Sequence, residues 1–315
     1  MQTKILAKEG PHLSSIGFGT WAYFEPAFQK KLSNKKFSRS IASAYELGIN
    51  WIDVAPVIGF GKAERMVGRA VKALPRDKIF ISTKCGISWD KNSRLSISLH
   101  PRDVRTSVEN SLRRLGTNYI DLCQPHFPDA KTPIIETWYE LKKLHNEGKI
   151  KHIGLCNHGI EAVKSCMKLH PVQIVQTPYS LLFRDAQDEI LPFCEQNGVG
   201  VLSYPPLQLD SLMRNLRSPE PNGAKSLQAK PVLVNSQIQK TVNLLEQIQP
   251  IAYRQNISIA QLALAWMLTY SSILGAVVST SSKRQLRDYV RIAEKLPPKR
   301  EIRSVGAAIA ETAGL

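Results

Sequence analysis

Apolar residues along the 315-residue chain fall into short runs that alternate with longer stretches at helical spacing. Residues 3–14 alternate as a small hairpin turning at Glu9-Gly10-Pro11. Ser15–Thr20 then reads as a buried strand, Phe37–Leu47 as a helix, and Trp51–Asp53 as a short apolar strand ending on a carboxylate. Behind it, a turn holding Pro56, Gly59 and Gly61 leads into Ala63, Met66, Val67, Ala70, Val71 and Leu74 on one helical face. The alternation continues with strand Lys78–Thr83 and helix Asp103–Leu115, then strand Tyr119–Gln124 and helix Ile134–Leu144. Strand Lys151–Leu155 pairs with helix Ile160–Leu169, and strand Val172–Val175 with helix Asp188–Gln196. After strand Gly200–Ser203, a stretch rich in Pro, Ser and Asn interrupts the pattern to about residue 233, and it reads as a functional loop. Helices at Gln237–Arg254 and Ile259–Leu268, strand Ile273–Val278, helix Lys283–Ala293 and a short terminal helix at Ala307–Thr312 complete the series.

Apolar strands alternating with amphipathic helices predict an α/β protein built on a parallel sheet. Its closed form is a (β/α)8 TIM barrel, here with an N-terminal β-hairpin and a single domain over residues 1–315. Active sites of such barrels lie at the C-terminal ends of the strands. Asp53, Lys84, His126, Asn157, Gln176, Tyr204 and Ser279 all stand at those ends. A carboxylate there must be paired or at work, because an unpaired buried charge is too costly. The rival architecture, an open doubly wound sheet, needs a G-x-G-x-x-G turn after its first strand, and the sequence has none.

Composition narrows the function classes. Five scattered cysteines provide neither a disulfide framework nor metal-ligand spacing, which suits a reducing, cytoplasmic setting without a metal. No apolar run approaches the ~20 residues of a membrane span, and Met1–Gly10 lacks a secretory core. A net charge of +16 admits a polyanionic partner. The densest basic run, Lys30 to Arg39, is short and shows no stacking aromatic pattern, so the charge reads as a solvated Lys/Arg-rich surface rather than a nucleic-acid site. The expected partner is a small molecule, taken by a monomer or small homo-oligomer.

The strand–turn–helix around Asp53 resembles the aldo-keto reductase superfamily pattern D-T-A-x-x-Y-G-x-G-x-S-E, with Asp53, Ala55, Gly59, Gly61 and Glu64 in place. The tyrosine position holds Ile58. Further segments are similar in the same order: Gly17 to Trp21 to G-x-G-T-W, SLRRLGTNYIDLCQPHFPD at 111–129, GKIKHIGLCNH at 148–158, VQTPYSLLFR at 175–184 and ISIAQLALAW at 257–266. The likeness spans nearly the whole chain.

The resemblance implies that Asp53, Lys84 and His126 are three members of a catalytic tetrad whose phenol is missing. Reducing a carbonyl leaves an alkoxide that needs a proton, and a phenol of pKa ~10 supplies it well only beside an ammonium. The substitutes are Tyr23 on the first loop, His126 itself, or Lys84. Asp53 with Lys84 also reads as a structural ion pair, and His126 as a pocket wall. The resemblance further implies an NADP(H) site. Gly19, Thr20, Trp21 and Asp53 would lie under the cofactor, and Asn157 and Gln176 would hold the carboxamide beside Cys156, which replaces the usual serine. Tyr204 would stack on the nicotinamide. The pyrophosphate clamp S-P-L-x-x-G is altered to PPLQLD: Leu207 is kept, Pro205 has no N–H to offer, and Asp210 would repel phosphate. Ser279, Thr280, Ser281, Lys283, Arg284 and Gln285 open a helix with hydroxyls and cations suited to a 2′-phosphate, or simply cap it. Trp21, Tyr23, Phe24, Phe28 and Trp89 on the first and third loops suggest an aromatic or apolar substrate. The leading expectation is an NADP(H)-dependent oxidoreductase with an altered proton donor. The alternatives are a nucleotide-binding sensor or partner subunit, and a non-redox lyase or dehydratase reusing Lys84 and His126.

Overall fold

The computed structural model describes residues 1–6, 10–24, 33–204 and 235–313. The turn residue Glu9, Phe28, the start of the basic run at Lys30, and the 205–233 segment with Pro205, Leu207 and Asp210 lie outside the described residues. Strands β1 (Thr3–Ile5) and β2 (His12–Ser14) pair antiparallel, with Thr3 opposite Ser14, so the N-terminal hairpin is formed. Eight parallel strands then close a barrel. In chain order they are β3 (Ile16–Gly19), β4 (Trp51–Asp53), β5 (Phe80–Cys85), β8 (Ile120–Pro125), β9 (Ile150–Cys156), β10 (Ile174–Pro178), β11 (Gly200–Tyr204) and β12 (Ile273–Val278). Strand β12 closes on β3 through Ala276 and Ile16, so the chain order is also the order around the barrel.

Ten helices accompany the strands among the described residues: α1 (Asn34–Glu46), α2 (Lys62–Val71), α3 (Pro101–Leu115), α4 (Ile134–Asn146), α5 (Ile160–Met167), α6 (Ile190–Asn197), α7 (Asn235–Arg254), α8 (Ile259–Leu268), α9 (Lys283–Glu294) and α10 (Lys299–Ala313). Their ends follow local chemistry. Helix α3 opens on Pro101, whose missing N–H is harmless in the first turn, and closes on Gly116 at φ 64°. Helix α8 begins with a capping box between Ser258 and Gln261.

Two differences from the sequence reading stand out. An additional hairpin, β6 (Ile87–Trp89) with β7 (Leu95–Ile97), rises from the end of β5. Its residues alternate over only three positions each, too few for a periodicity signal. The terminal helix runs from Lys299 rather than from Ala307, because polar Lys299–Ser304 hides its early turns and its stability comes from packing against α7.

The interior of the barrel is filled by Trp51, Phe80, Leu122, Ile174, Leu202, Leu274 and Val277, closed below by Leu6 and Leu13 of the N-terminal segment. Trp51 is fully buried and donates its indole N–H to the Ser14 carbonyl at 2.8 Å. Gly17 makes the room for it, since a Cβ there would lie 2.3 Å from the Trp51 ring. A second, larger core fills the space between strands and helices. Together these cores hold the strand ends in fixed register, and the polar residues at those ends inherit that rigidity.

Candidate active site

Strand β4 ends at Asp53, 5% exposed, and strand β5 brings Lys84, 3% exposed, beside it. Lys84 Nζ donates to Asp53 Oδ1 in a short contact and also to the Val54 carbonyl at 3.3 Å. The second carboxylate oxygen of Asp53 accepts from Gln176 Nε2 at 3.2 Å. A buried charge is tolerated only when paired and hydrogen-bonded, and this pair meets both conditions. Since Asp53 can only accept, the Gln176 amide is oriented with its nitrogen toward it. Its oxygen, Oε1, is left buried without a partner among the described residues.

His126 follows β8, tied to β5 by its own N–H on the Cys85 carbonyl at 3.1 Å. Its ring stacks on Phe127 with centroids 4.6 Å apart. Burial, helped by the neighbouring Lys84 charge, pushes the imidazole down to about 3, so it is neutral across the physiological range. Its Nδ1 is buried without a partner among the described residues.

Asn157 takes the left-handed backbone at φ 60° directly after β9, a conformation that asparagine tolerates better than most residues. Its Nδ2 donates to the His126 carbonyl at 3.0 Å, and its Oδ1 accepts from the Tyr204 hydroxyl. Cys156, the neighbour replacing serine, is buried, and desolvation raises its thiol to about 12. Tyr204 packs with Trp21 over the upper end of the barrel interior. Thr20 is buried and donates to the Asp53 carbonyl at 3.2 Å. Trp21 lies over Gly19, where a Cβ would meet its ring at 2.4 Å.

Ile58 is delivered by a turn containing three consecutive left-handed residues, Gly59 (φ 61°), Phe60 (φ 51°) and Gly61 (φ 77°). The turn is closed by Gly61 N–H on the Pro56 carbonyl at 2.7 Å. Ile58 is half-buried and packs on the outer core, offering no proton. Tyr23 does not replace the phenol. It is 2% exposed, packs edge-on against Phe37 at 5.0 Å and donates its hydroxyl to the Thr280 carbonyl at 2.9 Å. Desolvation raises it to about 12, so it is a core residue whose proton is already spent on the backbone.

At the last strand, Ser279 Oγ accepts from the Ala22 N–H at 2.8 Å and donates to the Gly19 carbonyl at 2.9 Å, tying the first and last loops together. Thr280 and Gln285 are hydrogen-bonded at 2.6 Å, and the Ser282 hydroxyl caps α9 through the Gln285 N–H. Ser281 is half-buried. Lys283 reaches Glu46 at 3.6 Å, and Arg284 is exposed. The hydroxyls therefore build the loop, and the cations stand free of it.

Two features escaped the sequence reading. Phe60 and Phe127, 40% and 39% exposed, belong to the loops after β4 and β8. Phe60 meets Trp89 of the added hairpin at 5.8 Å. The available signal was an aromatic placed directly after a strand-end motif. The second feature is the support behind the site. Fully buried Glu64 accepts from Thr83 at 2.7 Å and from Arg114 at 2.5 Å, anchoring α2 to β5 and α3. A cavity of about 200 Å³ lies between the β6–β7 hairpin and α3, lined by Ile87, Trp89, Thr106 and Arg114.

The model for the aldo/keto reductase family matches residues 15–310. The chain belongs to that family. An NADH-specific methylglyoxal reductase of Escherichia coli is 36% identical over 292 residues, covering 88% of this chain and 89% of its own. A probable aldo-keto reductase of Glycine max is 34% identical over 314 residues, 96% of this chain and 88% of its own. Among solved structures, the glycerol dehydrogenase of Gluconobacter oxydans superposes with a TM-score of 0.84 at 29% identity, over 99% of this chain and 96% of its own. Aldo-keto reductases are oxidoreductases that use a nicotinamide cofactor, and the barrel fold matches theirs. The residues fit a carboxamide: Gln176 Oε1 is a buried acceptor without a donor among the described residues, and a carboxamide N–H2 is a group that would satisfy it.

Proposed function

We propose that the protein reduces the carbonyl group of a small-molecule substrate using NADPH. The single observation that carries this reading is the Gln176–Asp53–Lys84 chain with its unsatisfied Gln176 oxygen. A merely structural ion pair has no need of a glutamine whose oxygen is buried without a donor among the described residues. Gln176 and Asn157 would hold the carboxamide, and Tyr204 with Trp21 would flank the ring. When bound there, the nicotinamide nucleotide would supply the reducing hydrogen. Asp53 orients Lys84. His126, neutral and rigid on Phe127, orients the substrate oxygen. Trp21, Phe24, Phe60, Trp89 and Phe127 on the loops above the strand ends favour an apolar or aromatic substrate body. Exposed Arg284, with Lys283, favours a 2′-phosphate and so NADPH over NADH.

A second reading, nucleotide binding without turnover, draws support from Ile58 at the phenol position. One experiment separates the two. Quenching of NADPH fluorescence measures binding, and NADPH consumption with a panel of aldehydes and quinones measures turnover. Binding with turnover supports reduction. Binding without any turnover transfers the case to the second reading.

A further inference from the structure

We infer that Lys84 itself is the acid of this site, delivering its proton directly to the oxygen of an unhindered aldehyde. This rests on the reductase reading above. Each other candidate among the described residues of the site is either committed to a hydrogen bond or is no match for an ammonium as a proton source. The Tyr23 hydroxyl donates to the Thr280 carbonyl within the core. The Tyr204 hydroxyl donates to Asn157 Oδ1. Cys156 is a buried thiol whose Sγ faces the Asn157 amide. His126 is a neutral imidazole, with no ammonium-like proton to release. Ile58, in the relay position, has none.

Lys84 differs from all of these. An ammonium has three N–H bonds. Two are accounted for, on Asp53 Oδ1 and the Val54 carbonyl. The third has no recorded acceptor among the described residues. With Ile58 in the phenol's place, no side-chain hydroxyl at that position relays a proton between that N–H and the substrate. Asp53 cannot compete for the role, because both of its oxygens are occupied as acceptors, one by Lys84 and one by Gln176.

The chemistry balances without a phenol. The carbonyl carbon gains a hydride from the reduced nicotinamide, the C–O π pair moves to oxygen, and that oxygen takes a proton from Lys84 Nζ. Lys84 is left as an amine beside Asp53 and recovers its proton from water. Depth sets the substrate class. Lys84 is only 3% exposed, so the oxygen must travel further in than a phenol would require. An aldehyde, with one hydrogen on its carbonyl carbon, reaches that depth where a ketone with two carbon substituents is obstructed.

The decisive variant is Lys84→Arg. It keeps a positive charge for Asp53, but guanidinium does not deprotonate in proteins and cannot act as the acid. If Lys84 is the acid, Lys84→Arg binds NADPH as the wild type does and loses 10²-fold or more in kcat/KM for aldehydes, within the range for general acid catalysis. Added ammonium or methylamine should partly restore the smaller Lys84→Ala variant. Should either variant fold poorly, wild type alone gives an independent readout. In protein labelled with 15N at lysine Nζ, without nucleotide, the buried Lys84 signal should shift when a primary alcohol product analogue is added, and stay still with a bulky secondary alcohol. Retained aldehyde turnover in Lys84→Arg, or a Lys84 resonance indifferent to primary alcohols, overturns the assignment. Wild-type protein that reduces no aldehyde at all overturns the reductase reading instead, which keeps the two failures distinct.

Discussion

Replacing Ile58 with tyrosine tests the site most informatively, because it restores a single missing group while leaving its supports in place. Ile58 sits half-buried on a turn whose hydrogen bonds are made by the backbone, Ile58 N–H on the Ala55 carbonyl at 3.1 Å and Gly61 N–H on the Pro56 carbonyl at 2.7 Å. The exchange therefore disturbs a pocket wall rather than the barrel interior. Overpacking a tight core costs about 1–3 kcal/mol, and a half-buried wall should fall at the low end of that range. The third N–H of Lys84 is available to the new hydroxyl, as Asp53 and Val54 take the other two. A positioned general acid is worth about 10²–10⁴-fold. Because Lys84 already serves as acid in the wild type, the gain for aldehydes should lie near the bottom of that range, about 10²-fold. For ketones, which cannot reach Lys84, it should be larger. The assay is NADPH consumption by wild type, Ile58→Tyr and Ile58→Tyr/Lys84→Met, with nucleotide binding checked in each. The double variant should lose the gain, since an unassisted phenol is a poor acid at neutral pH. An Ile58→Tyr protein that binds NADPH and gains nothing toward aldehydes or ketones would refute this reasoning.

Other outcomes follow from the same geometry. Asp53→Asn strands the buried Lys84 charge and should lower unfolding stability by roughly 3–5 kcal/mol in urea titrations; a loss under ~1 kcal/mol would place the pair in effective solvent contact. Because burial and Lys84 hold His126 near 3, the folded state binds fewer protons than the unfolded state between there and the ordinary 6.5. Stability should therefore fall as pH drops through that window, His126→Gln should flatten the slope, and kcat/KM should show no His126 limb between pH 5 and 8. Lys283→Ala with Arg284→Ala removes two exposed cations worth ~0.5–1 kcal/mol each. NADPH binding should weaken roughly 5–30-fold, leaving NADH binding unchanged; equal weakening of both would remove the 2′-phosphate from the account.

Much of the fold was legible because the barrel repeats one pattern. The barrel strands are mostly buried on both faces and most helices carry one apolar stripe, so Trp51–Asp53 and Ile273–Val278 emerge with the boundaries they were read to have. The β6–β7 hairpin and the first turns of α10 were hidden for opposite reasons: one is too short to show a period, and the other is polar until it meets α7. In the site, Asp53, Lys84, Asn157, Gln176 and Tyr204 were readable as strand-end residues, and the structure links them in two side-chain groups, Lys84–Asp53–Gln176 and Tyr204–Asn157, joined by the Asn157 N–H on the Gln176 carbonyl at 2.9 Å. Tyr23 was misleading because its sequence places it on a loop, whereas its ring turns inward onto Phe18 and Phe37. No one-dimensional pattern reports the direction a loop side chain takes. The same limit hid the orphan Gln176 oxygen, which exists only because Asp53 dictates how that amide is turned.

Reduction at this site is tested most directly with NADPH deuterated at C4 and a simple aromatic aldehyde, followed by mass spectrometry of the product. The account predicts an alcohol carrying one deuterium on its former carbonyl carbon, formed by wild type and lost in Lys84→Arg. Tight NADPH binding with no deuterated alcohol from any aldehyde would contradict it.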